Sequence, residues 1–160
     1  MELEFRPIDR TNYNDCIELS VNENQKKFVA PNQYSLVQAA YEPNLYPLAI
    51  YKESQMIGFI LYDFDEELNG WSMSRFMIGS SFQNCGFGKQ ALKQFLLFFK
   101  ENYPDVLKLY TSAEVDNIAA IELYKRAGFI EGNIFEYEAG GIQYKEIRMM
   151  ISLEIQEEAK

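Results

Sequence analysis

The strongest chemical signal in the chain is Gln83-Asn84-Cys85-Gly86-Phe87-Gly88, set between an apolar run and an apolar helical stripe. A strand that turns into a helix through such a segment leaves several backbone N–H groups unpaired and pointing one way, and glycines at Gly86 and Gly88 let a diphosphate come close to them. The chemistry is the holding of an anion. Two commoner phosphate loops are excluded. Gly86-Phe87-Gly88 lacks the third glycine of a dinucleotide fingerprint, and Gly88-Lys89 is followed by Gln90 where a nucleotide triphosphatase needs Ser or Thr for magnesium. A glycine-rich helix start that binds nothing is the competing reading of this stretch taken alone.

The remaining inventory narrows the chemistry further. Histidine is absent, which removes Ser-His-Asp and Cys-His nucleophiles and the usual zinc sites, and leaves carboxylates, tyrosine, lysine and backbone dipoles. Cys16 and Cys85 lie far apart without metal-ligand spacing, so neither a disulfide nor a metal site is expected, and Cys85 has no base beside it to make it a nucleophile. The formal charge of −9 and a pI of about 4.6 disfavour nucleic acid and anionic membranes as partners and favour cationic ligands. With 160 residues, 48% of them hydrophobic, the chain reads as one domain. No apolar run approaches the ~20 residues of a membrane span, and the start MELEFRPIDR is acidic where a secretory signal would be basic, so a cytoplasmic location is expected.

The elements that must position these groups can be read in order. A strand over 2–8 stops near Pro7, and Asp9 and Thr11 are candidate caps for a helix over 13–19. Residues 21–32 are irregular, and Ser35 or Asn32 can cap a short helix over 36–41. Strands over 46–51 and 56–64 form a hairpin around Lys52-Glu53-Ser54-Gln55. The acidic run Asp63, Asp65, Glu66 and Glu67 reads as a solvated turn more readily than as a pocket. A strand over 71–78 leads through the glycine loop to a helix over 87–102 with an apolar stripe at Ala91, Leu92, Phe95, Leu96 and Phe99. A strand over 106–111, a helix capped by Asp116 or Asn117 and stopped by Gly128, and strands over 129–137 and 142–155 around Ala139-Gly140-Gly141 complete the chain, with 156–160 a frayed tail. The order implies an α+β fold with a mixed sheet, its parallel pair being the two strands that the glycine helix connects.

Two segments carry a family resemblance. Gln83-Asn84-Cys85-Gly86-Phe87-Gly88 resembles the (Gln/Arg)-x-x-Gly-x-(Gly/Ala) loop of the GNAT superfamily of acyl-CoA-dependent N-acetyltransferases. Asn117-Ile118-Ala119-Ala120 through Tyr124 to Gly128-Phe129 resembles its Asn-x-x-Ala-x-x-x-Tyr-x-x-x-Gly-Phe segment. The resemblance implies a mostly antiparallel sheet with helices on both faces and two strands splayed around the cofactor. It implies acetyl-CoA as cosubstrate without a metal. Backbone groups of Phe76, Met77 and Ile78 would pair with the pantetheine arm. N–H groups of Asn84, Cys85, Gly86, Phe87, Gly88 and Lys89 would hold the pyrophosphate, with Lys89 able to add charge. Asn117 would bond the cofactor, cap its helix, or do both. The Tyr124 hydroxyl would give a proton to the departing thiolate.

Within the superfamily, residues 25–36 and Ser74-Arg75-Phe76-Met77-Ile78 resemble bacterial spermidine/spermine N-acetyltransferases, which implies a small cationic amine as substrate and direct attack without an acyl-enzyme. An alkyl ammonium of pKa about 10.4 must lose a proton before it attacks, which costs roughly 4 kcal/mol near neutral pH. Polyamine-acetylating relatives often carry a carboxylate just before the position of Arg75, where this chain has Ser74. The base is therefore open between a water relay and an acid from elsewhere, with Glu23, Glu42 and Asp63 the candidates, which also serve as candidate amine-binding acids. A protein N-terminus or an aminoglycoside as substrate, or a non-catalytic CoA-binding module, are the alternatives, and a homodimer is the expected assembly.

Overall fold

The computed structural model describes residues 2–154. Seven strands, β1 (Glu4–Pro7), β2 (Leu45–Lys52), β3 (Gln55–Asp65), β4 (Gly70–Ile78), β5 (Lys108–Glu114), β6 (Ile130–Ala139) and β7 (Ile142–Ser152), form one sheet in the order β1-β2-β3-β4-β5-β7-β6. Every neighbouring pair is antiparallel except β4 and β5, which are parallel and joined by the helix α3 as the strand-helix-strand reading requires. The helices are α1 (Tyr13–Glu18), α2 (Asn32–Tyr41), α3 (Phe87–Asn102) and α4 (Ile118–Ala127). None is long and apolar enough to cross a membrane among the described residues.

β3 explains how helices come to lie on both faces. From Phe59 onward its side chains alternate, and both sets are apolar: Ile60 and Tyr62 join the core with Leu92, Phe95 and Phe99 of α3, as does Ile57 at the register shift against β2, while Phe59 and Leu61 join Cys16 of α1 and Leu36 of α2. The α3 stripe buries Ala91, Leu92, Phe95 and Phe99 and leaves Leu96 partly covered. Trp71 and Tyr103 close one end of this core, with ring centroids 4.4 Å apart.

Several boundaries differ from the sequence reading. α2 begins four residues early, at Asn32, behind Pro31, whose φ of −58° is already helical. Asn32 caps the preceding helix instead of its own, donating from Nδ2 to the carbonyls of Cys16 (2.9 Å) and Leu19 (3.2 Å). Neither Asp9 nor Thr11 caps α1; Asn12 takes that position, and Asp9 Oδ1 closes a turn onto the Thr11 N–H at 2.8 Å. β5 starts at Lys108 and continues through Ser112, Ala113 and Glu114, because these pair with Arg148, Ile147 and Glu146 of β7. The strand expected to reach 155 is described to Ser152, and the tail at 156–160 lies outside the described residues.

Candidate active site

The parallel pair is short. β4 and β5 register only at Ser72 with Tyr110 and Met73 with Thr111, and the Thr111 hydroxyl donates to the Met73 carbonyl at 2.8 Å. One residue later β4 holds a bulge: Leu61 pairs with Arg75 and Tyr62 with Met73, so Ser74 is the extra residue. A bulge bends its strand and adds twist, and from this point β4 and β5 separate. The gap is a cleft of about 560 Å³, walled by Ser74 to Ile78 on β4 and by Ser112 and Ala113 on β5, with Asn117, Ala120 and Tyr124 of α4 beside them.

At the far end of the cleft stands the glycine loop. Gly86 is the N-cap of α3 at φ 83°, and the first bond of that helix runs from the Gln90 N–H to the Gly86 carbonyl at 3.2 Å. The N–H groups of Phe87, Gly88 and Lys89 therefore have no carbonyl of their own helix behind them, and the helix dipole places partial positive charge there. A Cβ at Gly86 would meet nothing within 4 Å, and one at Gly88 only Leu123 and Ile78 at 3.9 and 4.0 Å. The packing of the protein itself leaves free space at both glycines, as a cradle for a bulky anion needs. Asn84, at φ 62°, and Gly88 line the cleft; Cys85, Gly86, Phe87 and Lys89 do not, and Cys85 and Lys89 are exposed.

Gln83 ties this loop to its surroundings. Its Nε2 donates to the Ile78 carbonyl and to Gln25 Oε1, both at 2.9 Å, and its Oε1 accepts from Asn22 Nδ2 at 3.2 Å. The Ile78 carbonyl, expected to face a ligand amide, is thus already engaged by the protein. Ile78 and Met77 are buried, whereas Phe76 is partly exposed on the cleft wall.

Tyr124, 5% exposed, packs against Phe129 and lines the cleft. Burial raises its phenol above the ordinary tyrosine range, and the Glu146 carboxylate adds to that while the Thr111 hydroxyl opposes it. The hydroxyl therefore stays protonated near neutral pH and can act as a donor. Asn117 caps α4, its Oδ1 accepting from the Ala120 N–H at 3.2 Å, and still lines the cleft.

A second hollow of about 310 Å³ meets the first, and the two share Ser74, Arg75, Ser112, Tyr137 and Glu146. Its wall carries five carboxylates, Asp63, Asp65, Glu67, Glu136 and Glu146, against Arg75 and Arg148. Both arginines are engaged: Arg75 donates to Gln38 Oε1 at 2.7 Å and lies over Tyr34, and Arg148 lies 4.3 Å from the centre of the Phe135 ring. The acidic run at the end of β3 is therefore part of a pocket wall and not only a solvated turn, although Glu66 does face solvent. Burial raises Asp63 to about 6 against a 2.9 Å hydrogen bond from the Ser74 hydroxyl. Of the other two candidate acids, Glu23 is exposed and paired with Lys26, and Glu42 is the exposed C-cap of α2, outside the lining of the hollow but near enough for its charge to help raise Asp63. Among the described residues no group of three or more His, Cys, Asp and Glu is placed to hold a metal.

A family model described as the acetyltransferase (GNAT) family matches residues 13–129, from α1 through the glycine loop to the end of the Asn117 segment. The chain belongs to this family. This acetyltransferase is 28% identical over 154 residues to the spermine/spermidine N(1)-acetyltransferase of Bacillus subtilis (strain 168), covering 92% of this chain and all of that protein. Its fold matches a spermidine N-acetyltransferase from Vibrio cholerae solved with CoA and spermine (TM-score 0.72, 18% identity, 94% of this chain and 95% of that one). It also matches the ribosomal-protein-S18-alanine N-acetyltransferase of Escherichia coli (TM-score 0.70, 15% identity, 99% and 98%).

GNAT acetyltransferases use acetyl-CoA, and the chain offers it a suitable bed. The open N–H end of α3 and the clearance at Gly86 and Gly88 suit a pyrophosphate, and the gap between β4 and β5 suits an extended arm with amide groups. Glu146, Ser112, Tyr137 and Arg75 were not singled out as site residues from the sequence. The available signal was Glu146 in the alternation of a strand, two residues beyond the buried Tyr144.

Proposed function

We propose that this enzyme transfers the acetyl group of acetyl-CoA to a primary amine of a polyamine, spermidine or spermine. The observation that carries the reading is the acidic hollow opening from the cleft at the point where β4 and β5 part. A polyamine has several ammonium groups, and carboxylates spread along a partly closed groove attract them more strongly than the same acids would in open water. The names of the relatives that match 28% of residues along nearly the whole chain support the same substrate class.

On this reading the N–H groups from Asn84 to Lys89 hold the pyrophosphate, Phe76 and Met77 offer backbone groups to the pantetheine arm, and Asp63 binds an ammonium away from the reacting one. A backbone N–H of Met77 or Ile78 polarises the thioester carbonyl. Tyr124 gives its proton to the sulfur as the carbon–sulfur bond breaks. The enzyme works as a cytosolic protein, and a homodimer is its expected form.

A protein N-terminus is the second reading, favoured by the likeness to the ribosomal-protein enzyme and by the two arginines in the hollow, which suit a substrate carrying carboxylates. The two are separated by thiol release from acetyl-CoA with spermidine, spermine, n-propylamine and an alanine-started peptide. Polyamines should give the highest kcat/KM. Peptide turnover with no polyamine turnover would replace the first reading by the second.

A further inference from the structure

Glu146 is the most enclosed carboxylate of the site and stands where the two hollows join. It is 5% exposed, yet it lines both spaces, together with Ser74, Arg75, Ser112 and Tyr137, at the passage from the acidic hollow to the cleft. Its orientation is fixed from two neighbouring strands: Ser112 Oγ of β5 donates to Oε1 at 2.6 Å, and the Tyr137 hydroxyl of β6 donates to Oε2 at 2.8 Å. Each oxygen keeps a second lone pair. Tyr137 is itself fixed by stacking on Phe135 and Tyr144. Tyr124 lines the same cleft and feels the charge of Glu146.

Resting on the amine-acetylation reading above, we propose that Glu146 is the catalytic base, taking the proton of the substrate ammonium at the junction of the hollows before the amine attacks the thioester. In this step an N–H bond of the ammonium breaks, its electron pair stays on nitrogen, and an O–H bond forms on Glu146; the proton later passes to water. Asp63 lines only the outer hollow and is bonded to Ser74, so it holds a distal ammonium. The two carboxylates thereby divide the work that neither the sequence nor the Ser74 position assigns.

The surroundings of Glu146 suit this task. Burial raises its carboxyl above the ordinary glutamate range, Glu114 across the β5–β7 pair adds to the rise, and Ser112, Tyr137 and Arg75 oppose it. A raised carboxylate is a better proton acceptor at the pH where enzymes work.

The test is Glu146→Gln, which keeps the shape of the side chain and removes its basicity. Steady-state kinetics with spermidine and n-propylamine from pH 6 to 10 are read beside CoA affinity by calorimetry. The expected loss in kcat is about 10²–10⁴-fold with both amines, with CoA affinity within twofold of wild type. The deficit should shrink about tenfold per pH unit towards the amine pKa of about 10.4, since the amine then arrives already neutral. A kcat within threefold of wild type, or a deficit constant across pH, would overturn the assignment while leaving polyamine turnover by the wild type intact. Wild-type turnover of other amines but not of spermidine would overturn the polyamine reading, and Glu146 would be judged on those amines; no turnover of any amine would overturn both. If the variant fails to bind CoA, Ser112→Ala and Tyr137→Phe decide. Each removes a donor to the carboxylate and should move the acid limb of kcat/KM to higher pH, and an unmoved limb in both overturns the proposal.

Discussion

The Ser74 hydroxyl donates to Asp63 Oδ1 at 2.9 Å across the β3–β4 pair. The contact exists because Ser74 is the extra residue of the β4 bulge. It ties a carboxylate of the neighbouring strand to the residue just before Arg75.

That carboxylate is held against its preference. Asp63 stands at about 6 in the folded chain against 3.8 ordinarily, so between those values the native state binds more protons than the unfolded chain, and stability falls as pH rises through the window. Asp63→Asn keeps an acceptor for Ser74 and should be more stable than wild type at pH 7, by up to about 3 kcal/mol from two units at 1.36 each. The advantage should shrink to nothing near pH 4. Urea titrations at pH 4, 5.5 and 7 measure it, and a pH-independent difference would contradict the assignment.

Tyr124→Phe removes one hydroxyl from a packed ring and should retain the fold. The expected kcat is about 10²–10⁴-fold lower, with CoA affinity unchanged, because in the proposed mechanism the lost group acts on the leaving sulfur. An unaltered kcat would remove Tyr124 from the chemistry.

Gln83→Ala breaks the bonds to Ile78, Gln25 and Asn22 at once. Two of these lie in a partly buried setting, and the expected cost is about 1–3 kcal/mol in thermal unfolding. The KM for acetyl-CoA should rise with little change in kcat, because the loop loses its anchor while Tyr124 and the acidic hollow are untouched.

Ionic strength should separate substrates by charge. Raising salt from 50 to 500 mM shortens the Debye length from about 14 to about 4 Å. The kcat/KM for spermine should therefore fall much more steeply than that for n-propylamine. Parallel slopes would mean that the carboxylates of the outer hollow do not engage the substrate.

The glycine loop and α3 were legible because their signals are local. Gly86 takes a positive φ, and the stripe from Ala91 to Phe99 repeats at helical spacing. The parallel pair followed from connectivity alone. The carboxylates were harder. Glu23 and Glu42 lie near the first strand in sequence order, but both fall on exposed segments. Asp63 opens a run that reads as a solvated turn; whether that run lines a pocket depends on Arg148 and Tyr110, far along the chain. Glu146 has partners 34 and 9 residues away, Ser112 and Tyr137, and only the order β5-β7-β6 brings the three together. Ser112 and Glu114 look like loop residues and end the strand at Thr111 in the sequence, although Ser112 lines both hollows and Glu114 pairs with Glu146 of β7.

The bulge at Ser74 also governs which changes in chain length this protein tolerates. Removing Ser74 itself would leave Phe76 and Met77 opposite Ile60 and Phe59 but take out the bend at which β4 leaves β5, whereas removing a residue beyond it would slip the register and send each later side chain of β4 to the opposite face. Lineages descending from this chain can gain or lose residues in the surface turns, but within β4 a deletion of three nucleotides does more harm than most amino-acid replacements.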